Sequence, residues 1–139
     1  MKANKENEVM NTEEEKEIDP KELARMQKEN LISADEYLPR LIETAQTVSA
    51  ELAGEQEEDT HDLFNQVIDG VNYIIEIFNG TLSLTNENRI TFNTDEVEEM
   101  IQKLSNAIIA KDDKQVAVAM QNGMIPFLQK FQVVIKEYI

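Results

Sequence analysis

From residue 33 onwards the apolar residues fall into four stripes, spaced three and four apart, so that each stripe lies along one face of a helix. The first is Leu38, Leu41, Ile42, Ala45, Val48, Leu52 and Ala53, with Ser33 and Glu36 as a capping box before it and Gly54 at its end. The second is Leu63, Phe64, Val67, Ile68, Val71, Ile74, Ile75 and Phe78, entered through the acids of EQEEDTHD and ended near Gly80. Carboxylates there suit the positive end of a helix. The third is Val97, Met100, Ile101, Leu104, Ala107 and Ile108, with Asn93 or Thr94 as N-cap. The fourth is Val116, Met120, Met124, Phe127, Leu128, Phe131, Val134 or Ile135, and Tyr138, begun at Asp112 or Asp113. So little chain, KDD, parts the last two stripes that their helices must form an antiparallel hairpin.

Two stretches break the regularity. In GTLSLTNENRITFN, residues 80–93, Leu82 and Leu84, then Ile90 and Phe92, alternate with polar residues around an Asn-Glu-Asn turn. Either a small β-hairpin or an ordered loop that plugs the end of a bundle answers to this pattern. In QNGMIPFLQKFQ, residues 121–132, Gly123 and Pro126 interrupt the fourth stripe while its apolar phase continues. Pro126 has no N–H and crowds the carbonyl of Asn122, which costs about 3 kcal/mol in a straight helix. A kink at Gly123 absorbs that strain more economically than a break. Pro39 repeats the idea nearer to a helix start. The prediction is an all-α chain: an antiparallel four-helix bundle over 33–139 with a Pro/Gly-kinked last helix. Residues 1–32 read as a charge-dense, acidic, largely disordered segment, within which Asp19 as N-cap and Pro20 as first helical residue allow a short helix over 20–31.

Charge narrows the function. With 28 acids against 13 bases the formal charge is −15, a field that repels phosphate backbones and anionic headgroups. The bases stand singly among acids, so nucleic acid and membrane surfaces are not expected as partners. The N-terminus lacks an apolar h-region and no run of eighteen apolar residues follows, which gives a cytoplasmic protein as the expectation. Cysteine is absent, so disulfides, thiol nucleophiles and thiolate metal sites are excluded. The four glycines are isolated, and no phosphate loop or nucleophile elbow is present, so no cofactor is expected.

Candidate chemistry is sparse. The tetrapeptide EDTH places Glu58 and the single histidine, His61, at the Glu-x-x-His spacing used in di-iron bundles. One such motif cannot supply a di-iron site, and a solvated, carboxylate-rich first turn accounts for it, so Glu58 and His61 stand as weak metal candidates. More informative are apolar residues beyond what one stripe needs: Tyr73 and Ile77 in the second helix, Val118, Ile125 and Val133 in the fourth. They mark either a wide buried face or a groove or dimer seam for a partner.

Three stretches, ADEYLPRLIE (34–43), FNQVIDGVNYIIEIF (64–78) and NGMIPFLQKFQ (122–132), resemble an uncharacterised family of small, acidic, helical-bundle proteins from Gram-positive bacteria. The resemblance implies a helical bundle and brings no catalytic residues with it. In architecture the chain is also similar to flagellar export chaperones. The expected function is a non-enzymatic protein-interaction module, adaptor or chaperone-like, that binds a helical segment of a protein partner or forms a homodimer. The alternative is a metal- or small-ligand-binding bundle with weak hydrolytic or redox chemistry.

Overall fold

Helix formation begins at Asp19, whose carboxylate accepts from the Lys21 N–H at 3.0 Å, while Pro20 brings a helical φ to the first turn. The structure, a computed structural model, describes residues 19–87 and 91–139. Ile90 of the expected hairpin or loop, and most of the expected disordered segment, lie outside them. Helix α1 runs unbroken over Pro20–Ala53. The short helix expected over 20–31 and the helix expected from Ser33 are therefore one, and Ser33 is an interior residue, not a cap. The reason lies in spacing: Leu31 and Ala34 continue the buried series Leu38, Leu41, Ala45, Val48 and Leu52 backwards without losing phase. Pro39 is consequently deep inside α1 rather than near its start. Its missing N–H costs about 3 kcal/mol, which burial of Leu38, Leu41 and Ile42 around it, at about 1.5–3 kcal/mol each, outweighs.

Helix α2, Thr60–Thr85, carries the matching series Val67, Val71, Ile74, Phe78, Thr81 and Thr85. Strict alternation of three and four is the spacing that keeps two helices face to face along a seam. The two ends of that seam are fixed by polar contacts. Gln27, near the start of α1, donates to the Gly80 carbonyl at 3.1 Å and to the Ser83 hydroxyl at 3.0 Å. Thr60, at the start of α2, donates to Glu51 at 2.7 Å and accepts from the Glu57 N–H at 2.8 Å. Midway, Gly70 lets Tyr37 lie across α2: a Cβ there would collide with the Tyr37 hydroxyl.

No strand occurs among the described residues, so the β-hairpin alternative is not formed. Helix α2 takes up Leu82 and Leu84, because its seam runs on through Thr81 and Thr85 and the Thr81 hydroxyl returns to the Ile77 carbonyl at 2.7 Å. Asn86 then shapes the connection. Its carbonyl oxygen accepts from the N–H groups of Thr91 (3.0 Å) and Phe92 (3.1 Å), and its amide donates to the Phe92 carbonyl at 3.2 Å. That clamp delivers Phe92 into a ring cluster with Phe78, Phe127 and Phe131, where Phe78 meets the other three edge-on at 5.0, 5.1 and 5.6 Å.

Helix α3, Thr94–Ile109, is capped by Asn93, whose side chain accepts from Asp95 at 3.0 Å and Glu96 at 3.4 Å. It ends in a Schellman turn: the Lys111 N–H reaches the Ile108 carbonyl at 3.0 Å and the Asp112 N–H the Ala107 carbonyl at 3.3 Å. Lys111 occupies the left-handed position with φ 55°. Asp112 caps the next turn through the Gln115 N–H at 3.2 Å, and the chain continues as α4 (Asp113–Ala119), a π turn (Met120–Met124) and α5 (Ile125–Ile135). Both α4 and α5 pack on α1, whereas α3 packs on α4 and the π turn. Lys136 closes on Asp35 at 2.8 Å and the Tyr138 hydroxyl on the Thr85 carbonyl at 3.2 Å. None of the described helices is long and apolar enough to cross a membrane.

The left-handed Lys111 gives a direct test. Glycine adopts that conformation without the Cβ penalty of about 1–2 kcal/mol but loses more chain entropy. The substitution Lys111→Gly should therefore stabilise the fold by about 0.5–1 kcal/mol, read as a higher urea midpoint at unchanged slope.

Candidate functional site

The site starts from Pro126. In an unbroken α-helix its ring would press on the Asn122 carbonyl, four residues back. A π turn relieves this: the Ile125 N–H reaches the Met120 carbonyl five residues back, and Pro126 becomes part of the first turn of α5, where a missing N–H is tolerated. The wider turn holds an extra residue and rotates α5 about its own axis. Ile125, expected beside the stripe as a partner-binding residue, is turned into the core at 6% exposure.

As a result the run from Asp113 to Ile135 shows two faces. The inner one, Val116, Met120, Met124, Leu128, Phe131 and Ile135, is buried. The other, Gln115, Val118, Ala119, Asn122, Gly123 and Pro126, is small or polar and faces α3 across a groove of about 810 Å³. The α3 wall is Glu96, Val97, Glu99, Met100, Lys103, Asn106 and Ala107. Phe92, Asn93 and Lys130 bound one end, Ala110 and Asp112 the other. Met100 reaches across to the glycine notch, where a Cβ on Gly123 would lie 2.8 Å from the Met100 Cγ. Lys130 Nζ stands 4.7 Å from the centroid of the Phe92 ring, and Lys103 pairs with Glu99 at 3.1 Å. The floor is thus apolar and close-packed at one point, and the rim carries amides and charges of both signs.

One family model, Domain of unknown function (DUF8042), matches residues 29–134, well over half of the chain. The chain belongs to the DUF8042 family. The whole groove, from Phe92 to Lys130, falls inside the matched residues, as does the seam of α1 from Leu31 onwards. No curated protein and no solved structure matches the chain.

The structure scatters the positions expected to bind a partner in this DUF8042 chain. Val118 is 47% exposed and lines the groove. Tyr73, 43% exposed, sits on α2 with its ring edge-on to Tyr37 at 5.6 Å. Val133, 66% exposed, lies on α5 and is not part of the groove wall. Ile77, like Ile125, is a core residue, at 7% exposure. Ile77 shares a flank with Gly70 and Ile74, so α2 buries a face wider than one stripe.

The metal candidates do not share a helical face. Helix α2 starts at Thr60, leaving Glu58 in the turn before it. The His61 ring turns instead to Gln56 Oε1 at 3.1 Å and Asp113 Oδ2 at 3.4 Å, beside a cleft of about 380 Å³ that also takes in Leu52 and Phe64. Among the described residues no three His, Cys, Asp or Glu side chains are grouped to hold a metal. What the sequence did contain, unread, was the second series in the last helical run: residues 115, 118, 119, 122, 123 and 126 keep helical spacing on the side away from the core, and most of them are too small or too polar to register as a hydrophobic stripe.

Met100 and Gly123 test the notch. With Met100 present, Gly123→Ala should destabilise by about 1 kcal/mol through overpacking. In a Met100→Ala background the same change should stabilise by about 0.5–1 kcal/mol, the ordinary gain of alanine over glycine in a helix. A denaturant double-mutant cycle reads the change of sign.

Proposed function

We propose that this DUF8042 chain is a non-enzymatic protein-interaction module, adaptor or chaperone-like, whose groove between α3 and the α4–α5 run takes a helical segment of another protein or of a second copy. One observation carries the reading: an open groove of about 810 Å³ with an apolar floor and a polar rim, running the length of α3. A helix laid in a groove buries its apolar face at positions three and four apart, the spacing of both groove walls. Val118 is an exposed apolar side chain on the groove wall that such a partner would cover, while Tyr73 and Val133 are exposed apolar side chains outside the groove. On this reading the architecture is an antiparallel four-helix bundle, bent in its last helix at Gly123 and Pro126, working in the cytoplasm. The runner-up, a bundle that binds a small ligand or a metal and does weak hydrolytic or redox chemistry, is favoured by the same volume, which lies in the range of about 300–1,000 Å³ usual for small-molecule sites.

Site-specific photocrosslinking in the native cell separates them. A photoreactive residue at Val118 should give protein adducts, with few from the same residue at Lys28 on the exposed side of α1. Equal labelling at Lys28, or none at Val118, overturns the groove. Iron, manganese or zinc retained in stoichiometric amount after dialysis favours the runner-up.

A further inference from the structure

We infer that the occupant of the groove is the apolar face of a cationic amphipathic helix belonging to a different protein. The inference rests on the reading of the groove as a helix-binding site and names the chemistry of what enters it. Dimensions come first. Helix α3 has 16 residues, about 24 Å of wall at 1.5 Å per residue, a length that matches a partner helix of about four turns. The groove is open to solvent, so a helix laid along it turns its apolar face to the floor and keeps its outer face in water.

Charge then chooses among occupants. The groove walls carry Glu96 and Glu99 from α3, and Asp112 stands at the far end. Of the two lysines on the walls, Lys103 pairs with Glu99 and Lys130 lies on the Phe92 ring. The chain's own residues 1–18 carry six glutamates against three lysines, and a second copy brings another formal charge of −15. Both are repelled by the field they would have to enter. A helix whose solvent face carries lysine or arginine is drawn in by the −15 field, to which the groove adds three acids against two lysines.

The test titrates the full chain with two 18-residue peptides that share leucines at i, i+3, i+4 and i+7, one with lysine and one with glutamate elsewhere. The lysine peptide should bind at least tenfold more tightly than the glutamate peptide, with amide shifts along α3 and α4–α5. Asn122→Trp, a solvent-exposed position that fills the groove, and Val118→Lys should each weaken it at least tenfold, with an unchanged melting curve showing that each variant is folded. Equal, groove-mapped binding of both peptides overturns the charge inference and leaves the groove reading standing. Binding of neither peptide removes both. Binding that ignores both variants is surface attraction and overturns the inference. So does competition by a peptide of residues 1–18, or a dimer that Asn122→Trp dissociates.

Discussion

The contact on which the rest of the molecule depends is the set of ring edges around Phe78. Phe78 comes from α2, Phe127 and Phe131 from α5, and Phe92 from the connection between α2 and α3. Edge-to-face pairs add about 0.5–1.5 kcal/mol each beyond the area they bury, and here they join two elements whose backbones otherwise meet little. The same cluster anchors the start of α3 through Phe92, just before its Asn93 cap. The other end of α3 is held by the Lys111 turn. Between those anchors the helix buries Leu104 and Ala107, and Met100 packs on the Gly123 notch. The groove is the space these contacts leave open beside α3.

The second constraint is close approach. Two of the glycines sit where a side chain of another helix crosses the backbone: Tyr37 over Gly70, Met100 over Gly123. The first brings α1 and α2 together along a seam already specified by residues three and four apart. The second does the same for α3 and the π turn. The polar ends of the α1–α2 seam, Gln27 with Gly80 and Ser83 and Thr60 with Glu51, fix its register, since a slip by one turn would leave those buried groups without partners.

Much of this was legible in the residues. The stripes from Leu38 to Leu52, Val67 to Phe78 and Val116 to Ile135 are those of the core, and Asp19, Asn93 and Asp112 cap as their side chains suggest. What could not be read depended on partners distant in sequence. The early turns of α1 look too polar to dock until Gln27 finds α2. The alternation of Leu82 and Leu84 resembles a strand until Thr81 and Thr85 are seen to extend the helical seam. Ile77 looks spare beside its stripe, yet α2 buries a face wide enough to include it. The candidate site was harder still, because its α4–α5 wall is made of alanine, glycine, proline and amides, and a groove is defined by the volume that such side chains fail to fill. Ile125 misled for a local reason, the rotation imposed by the π turn.

That π turn has one more consequence. Both ends of the last helical run are tied down, by the Asp112 cap at its start and by Lys136 and Tyr138 just beyond its finish. Between fixed ends an ordinary helix admits one chain length and no other. A turn closed over five residues lets the same span hold one residue more while the apolar faces before and after it still meet the same neighbours. Segment 120–124 is thus the slack in an otherwise taut run, and the place where this backbone can trade length for register.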